Sequence, residues 1–261
     1  MRGWWREITD LVLPAACGGC GSPRTPLCDD CGRALYGTWA GRVRPAPEPA
    51  GLPVVHAAAP YEDAVRAVLL AHKERGALGL AAPLGRALAG AVQAAVPPGT
   101  GVGPLLLVPV PSTRRAVGAR GHDAARRIAL AAAAELRRAG RPGRVLPVLR
   151  QRRAVADQSG LGARQRAVNL SGALEVPVGG ARLLAAGRVV LVDDLMTTGA
   201  SLAEAARALR AAMVPVASSV SPAVAGKVAG AGPPGAAMSA RVQVSAAVVA
   251  APALSFEINR N

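Results

Sequence analysis

The stretch Val189-Val-Leu-Val-Asp-Asp-Leu-Met-Thr-Thr-Gly-Ala-Ser201 constrains the fold of this chain more than any other. Its first four residues are apolar without alternation, as expected of a strand covered on both faces at the centre of a parallel sheet. Leu105-Leu-Leu-Val108 is a second run of the same kind. Parallel neighbours require crossovers, and the segments between the apolar runs carry helical periods. Glu62–His72 sets Val65, Val68, Leu69 and His72 at three- and four-residue spacing, and His122–Arg138 and Leu202–Ala212 read as helices too. Leu78–Val96 reads as a further helix with a bend near Pro83. Shorter strands are expected at Val54–Ala58 and Val145–Leu149, while residues 150–180 have no clear period. The alternation predicts an α/β fold, a parallel sheet with helices on both faces.

The chain has 261 residues, enough for one large domain or one domain with a small appendage. All four cysteines lie near its start, as Cys17-Gly-Gly-Cys20 and Cys28-Asp-Asp-Cys31. Each C-x2-C pair can turn two thiolates toward one metal, and two such knuckles complete a closed tetrahedral zinc site of structural type. Two disulfides or free thiols are the alternatives, and a reducing compartment disfavours the former. The expected organisation is therefore a zinc-knuckle module at 1–45, a Pro-rich linker at 46–53, the α/β domain at 54–220 and an Ala/Gly/Pro/Ser-rich tail at 221–261. The tail has one strand candidate, Val242–Val249.

No apolar run reaches the roughly 20 residues needed to cross a bilayer, so an integral membrane protein is not expected. Met1-Arg2 and Leu13-Pro-Ala-Ala-Cys17 sketch a lipoprotein signal, but Arg6, Glu7 and Asp10 interrupt its apolar core, and a cytoplasmic location is expected. The net charge is +15, and only Lys73 and Lys227 among the 31 basic residues are lysine, a bias that codon composition produces in part. Residues 110–170 nevertheless concentrate 14 arginines against Asp123, Glu135 and Asp157. Such a field suits a phosphate-rich partner.

The chemistry converges on the end of the Val189–Val192 run. A strand there delivers Asp193 and Asp194 to the carboxyl edge of the sheet, where open α/β sheets bind ligands. Thr197, Thr198, Gly199, Ala200 and Ser201 then lead into a helix whose N-terminus, with the hydroxyls, makes an anion pocket. Carboxylates for sugar hydroxyls beside a phosphate cradle suit a sugar phosphate. A purely structural alternative exists for part of this: Ser201-x-x-Glu204 has the form of a capping box. The segment resembles the phosphoribosyl pyrophosphate (PRPP) motif of type I phosphoribosyltransferases. That resemblance implies that Asp193 and Asp194 hold the ribose hydroxyls and Thr197–Ser201 the 5′-phosphate. Pro111, Ser112, Thr113 and Arg114, after the other buried strand, resemble the family's diphosphate loop, with Arg115 adjacent. Arg152, Arg153, Gln158, Arg164, Arg166 and Asn169 occupy the aperiodic segment and are candidates for a closing lid.

The order of these pieces resembles the ComF family of competence-protein-F-like, amidophosphoribosyltransferase-like proteins over roughly residues 5–220. The pieces are the two C-x2-C pairs, Tyr61 through Lys73, Val108-Pro-Val-Pro111, Arg120-Gly-His122, Asp157-Gln-Ser-Gly-Leu161 with Arg164 to Leu170, and the Asp-Asp loop. Where that family usually reads Arg-Gly-Phe-Asn, this chain has Arg120-Gly-His-Asp123. The resemblance implies a transferase that binds PRPP with Mg²⁺ and passes phosphoribosyl to a nitrogen acceptor. It also implies a second reading, a non-catalytic protein handling single-stranded DNA alongside the DNA-uptake machinery. The 110–170 arginines and the possible stacking surfaces Trp4, Trp5, Tyr36 and Trp39 would serve that role. His56 and His72 read as packed residues, and His122 lies nearer the site. Lys73 is either a solvated helix-end charge or a position requiring a compact, flexible ammonium that arginine would not supply.

Overall fold

The computed structural model describes residues 16–37, 40–100, 103–153, 162–213 and 244–257. Gln158, Trp4, Trp5, Trp39 and the Asp157–Leu161 motif lie outside them. Among the described residues the chain forms a six-stranded sheet in the order β1 (Gly41–Val43), β2 (Val55–Pro60), β8 (Ser245–Ala251), β7 (Arg188–Leu195), β3 (Leu105–Pro109), β4 (Gly143–Val145). Only the β1–β2 pairing is antiparallel. The two apolar runs are neighbours, with Leu107 beside Val190 and Val108 beside Leu191. Both are buried throughout, which removes any need for alternation.

The two faces of the sheet separate the core. Leu105, Leu107, Val190, Val192 and Val249 pack beneath α2 (Asp63–Glu74), α3 (Ala81–Ala95) and α5 (Ala124–Arg138). Leu106, Val108, Val189, Leu191 and Val248 pack beneath α7 (Gly180–Leu184) and α8 (Ala200–Met213). The connection leaving β3 runs under α5 to β4, whereas the chain leaving β7 goes to α8 on the opposite face. The carboxyl ends of β3 and β7 therefore flank a topological switch point, where a crevice opens.

Several expectations change. Leu78–Val96 is not one bent helix: a 3₁₀ turn at Leu78–Leu80 precedes α3, and Pro83 sits in its first turn, where a missing N–H costs nothing. The strand expected at Val145–Leu149 is β4, shifted toward the N-terminus. The aperiodic segment contains a short antiparallel strand pair, β5 (Arg150–Gln151) with β6 (Leu174–Glu175), and between them a helix, α6 (Ala163–Leu170). A short helix, α4 (Arg114–Arg120), follows the β3 loop. Two strands come from outside residues 54–220: β1 from the N-terminal side, and β8, which is central between β2 and β7. In the N-terminal region α1 (Asp29–Tyr36) buries Leu35 in the same core as α2 and α3. No helix among the described residues is long and apolar enough to cross a membrane.

Candidate functional site

A cleft of about 1390 Å³ opens at the switch point. Its walls come from the end of α2, the β3–α4 loop, the end of β5 and the end of β7. Asp193 and Asp194 are still within β7, Asp193 paired with Val248, so the sheet fixes both backbones. Successive strand side chains leave on opposite faces. Asp194 leaves on the α2 face, where the Lys73 ammonium meets its Oδ2 at 2.7 Å. Asp193 leaves on the α8 face, and its Oδ1 accepts the Asp194 N–H at 2.9 Å. Burial pushes the Asp193 carboxyl well above the usual carboxylate range, reinforced by the Asp194 charge and opposed by Lys73. Burial pulls the Lys73 ammonium down, but the two carboxylates outweigh it and hold it above its usual value. Lys73 therefore stays charged.

Beyond β7 the chain turns through Thr197 and Thr198 to Gly199, whose φ of +75° favours glycine, and α8 begins at Ala200. The first N–H groups of α8 have no acceptors within the helix and suit an anion. Thr197 and Ser201 line the cleft. Gly199 and Ala200 are buried and shape the loop from behind, while Thr198 Oγ1 lies 3.5 Å from the Ala200 N–H it faces. The loop is backed by the Pro-rich segment: a Cβ at Gly199 would lie 3.1 Å from Leu52 Cδ1 and 3.3 Å from Pro45 Cγ. The capping box does not form. Glu204 turns away from the helix start, accepts the Leu174 N–H at 3.0 Å and pairs with Arg207.

Facing this loop, Pro111, Ser112, Thr113 and Arg114 line the cleft with Arg115. Thr113 caps α4 by accepting the Ala116 N–H at 3.1 Å, and Asp123 caps α5 through the Arg126 N–H. At the departure from the Arg-Gly-Phe-Asn pattern, then, Asp123 is an N-cap, a role aspartate and asparagine fill equally well. His122 also lines the cleft, and its ring meets that of buried His72 edge-on at 5.5 Å. Arg120 pairs with Glu74 at 3.3 Å and keeps its Nη1 buried without a partner.

The lid candidates divide. Arg152 and Arg153 line the cleft, and Arg153 donates to the Asn169 and Ser171 carbonyls at 2.8 Å. Arg166 reaches the Thr/Ser loop, its Nη1 donating to Thr197 Oγ1 at 3.3 Å. Arg164 and Asn169 do not line the cleft. Lys73 is the residue whose function the sequence left undecided; its signals were lysine in an arginine-biased chain and its place at the end of the Tyr61–Lys73 segment.

The four cysteines lie together apart from the cleft, all reduced, with their sulfurs within 4.8 Å of one another. Tetrahedral Zn–S bonds of about 2.3 Å place sulfurs about 3.8 Å apart, and Cys20 Sγ lies 3.6 Å from Cys28 Sγ. Burial penalises the Cys17 thiolate, but N–H groups of Cys20, Cys28 and Gly19 outweigh it and bring the thiol down to about 6. That is the state a metal needs. Burial pushes Cys31 up, which a divalent cation would reverse. Gly19 is required by packing, since a Cβ there would lie 2.5 Å from Cys31 Sγ. Four cysteines thus form a group able to hold a metal such as Zn²⁺. Of the residues suggested for base stacking, Tyr36 has its ring face covered by the Arg86 guanidinium at 4.3 Å. No protein-family model matches the chain, and no curated protein matches it.

Proposed function

We propose that this chain is a type I phosphoribosyltransferase-like protein that binds PRPP and transfers its phosphoribosyl group to a nitrogen acceptor. One observation carries the reading: two strand-end carboxylates and a Thr/Ser loop at a helix N-terminus share one switch-point cleft with a second, arginine-bearing loop. Asp193 and Asp194 hold the ribose hydroxyls, and Thr197, Ser201 and the first N–H groups of α8 hold the 5′-phosphate. Ser112, Thr113 and Arg114, with Arg115 and Arg152, receive the diphosphate. Strand-end carboxylates beside a phosphate-binding loop suit Mg²⁺, which takes one or two carboxylates together with ligand phosphates. When bound, Mg²⁺ supplies neutralisation of the departing diphosphate. The work of the protein is orientation and charge stabilisation as the anomeric C–O bond breaks and a C–N bond forms. The cysteine group holds Zn²⁺ and braces the N-terminal region, with no part in the transfer.

The test is a calorimetric titration of Mg²⁺–PRPP into the wild type and the Asp193→Asn/Asp194→Asn double variant. Saturable wild-type binding that the variant loses is expected, followed by acceptor-dependent diphosphate release. A wild type that does not bind overturns the proposal.

A further inference from the structure

Lys73 occupies a position that an ordinary structural ion pair does not explain. It sits in the last turn of α2, where the carbonyl end of the helix favours a cation, and it opens onto the cleft with 31% of its side chain exposed. Its partner carboxylate on Asp194 is 7% exposed. Nearly every cation in this chain is arginine. A guanidinium would grip that carboxylate through two parallel hydrogen bonds, whereas an ammonium on a four-carbon stem makes a point contact that can swing away. The other acid–base pair of this wall, Arg120–Glu74, is an arginine pair, and Arg120 keeps a buried Nη1 free beside it. The ammonium, 2.7 Å from Asp194 Oδ2, competes with a divalent cation for that carboxylate.

We propose that the Lys73–Asp194 pair is an exchangeable latch. Without ligand the ammonium occupies the acidic end of the cleft; an incoming diphosphate group draws it across toward the Ser112–Arg114 loop, which frees Asp194 for a divalent cation. The inference rests on reading the cleft as a site for a diphosphate-bearing sugar. It makes Lys73 a competitor of metal and a ligand of the anion at once. By linkage, the factor by which a bound anion strengthens cation binding at Asp194 equals the factor by which the cation strengthens anion binding.

The competition gives two effects of opposite sign. With zinc-saturated protein, calorimetric titrations of Mn²⁺ alone, and of diphosphate alone in metal-free buffer, are compared for wild type, Lys73→Met and Lys73→Arg. Lys73→Met is expected to bind Mn²⁺ about tenfold more tightly and diphosphate about tenfold more weakly, the scale of one charge-assisted contact. Lys73→Arg retains diphosphate binding and gains no Mn²⁺ affinity. Mn²⁺ binding that is unchanged or weaker in Lys73→Met overturns the latch, because a merely structural pair loses both affinities together. If Lys73→Met fails to fold, the wild type decides by mass-spectrometric acylation rates at Lys73. Mn²⁺ is expected to raise the rate and diphosphate to lower it, and rates indifferent to both overturn the proposal. Failure of wild-type protein to bind Mg²⁺–PRPP would remove the transferase reading while these arms still decide the latch.

Discussion

Replacing Glu204 separates the contribution of a buried acceptor from that of a charge. Glu204 is 6% exposed; its Oε1 accepts the Leu174 N–H at 3.0 Å and Arg207 Nη2 at 2.8 Å, and its Oε2 accepts Arg207 Nε at 2.7 Å. Arg207 Nη2 also donates to the Leu174 carbonyl at 2.9 Å, so one side-chain pair satisfies both backbone groups of the residue that opens β6. The Arg207 side chain is 50% exposed, which limits the ion-pair part to about 0.5 kcal/mol after solvent screening. Leaving the Leu174 N–H unsatisfied costs about 1–3 kcal/mol. Glu204→Ala is therefore expected to destabilise by about 2–3 kcal/mol, and Glu204→Gln, which keeps an amide oxygen for Leu174, by about 1 kcal/mol or less. Burial alone would raise the Glu204 carboxyl, but Arg207 and the Leu174 and Gly172 N–H groups outweigh it and hold it below its usual value. The unfolded chain then takes up the proton first as pH falls. The charge-dependent stabilisation is present above the usual glutamate value and is lost as pH falls from there through the lower folded-state value. Urea denaturation of wild type, Gln and Ala variants at pH 7 and near pH 4 reads both effects. Equal losses for Gln and Ala, or a wild-type-to-Gln difference that does not shrink in acid, would refute the reasoning.

Other outcomes follow from the same geometry. Gly199→Ala forces a Cβ into a left-handed turn against Leu52 and Pro45; it is expected to cost about 1–2 kcal/mol in a thermal melt and to weaken phosphate-ligand binding. Reductant-purified protein is expected to carry one zinc per cysteine group, and chelation should lower the melting temperature; a metal content near zero by atomic absorption contradicts this. Because burial raises the Asp193 carboxyl, its proton must leave before it serves a cation. Mg²⁺–PRPP affinity is thus expected to rise with pH beyond the usual carboxylate range, and calorimetry from pH 5 to 8 checks it. Arg166→Ala removes the cation that holds Thr197 Oγ1 and should weaken ribose 5-phosphate binding several-fold, measured by the same titration.

The α/β character was legible because its signals are local. Continuous apolar runs imply two covered faces, and three- and four-residue spacing implies a helix face, so β3, β7, α2 and α5 fell close to expectation. The paired C-x2-C spacing likewise carries its own geometry, and its sulfurs do cluster. The pair of β5 and β6 had no such signal, since two-residue strands are too short for any period and the apolar side of α6 is mostly alanine. What holds that region is Glu204 and Arg207, which reach it from α8. The same Ser201-x-x-Glu204 spacing that suggests a capping box is equally compatible with Glu204 turned inward. Sequence spacing cannot say which N–H a carboxylate will meet.

The central place of β8 has the same origin. The sequence places a strand at Val242–Val249, and the observed one is Ser245–Ala251, but its insertion between β2 and β7 depends on a narrow alanine-rich surface fitting under α3. That insertion positions the site, because β8 pairs with Asp193 and Leu195 and its Ala250 carbonyl accepts the Met196 N–H at the turn into the Thr/Ser loop. An apparently uninformative C-terminal strand therefore holds the two carboxylates at the height where Lys73 can reach one of them. Ala250 and Ala251 are fully buried, one in the core on each face of the sheet, so shortening β8 there would remove core packing and the support of the cleft together.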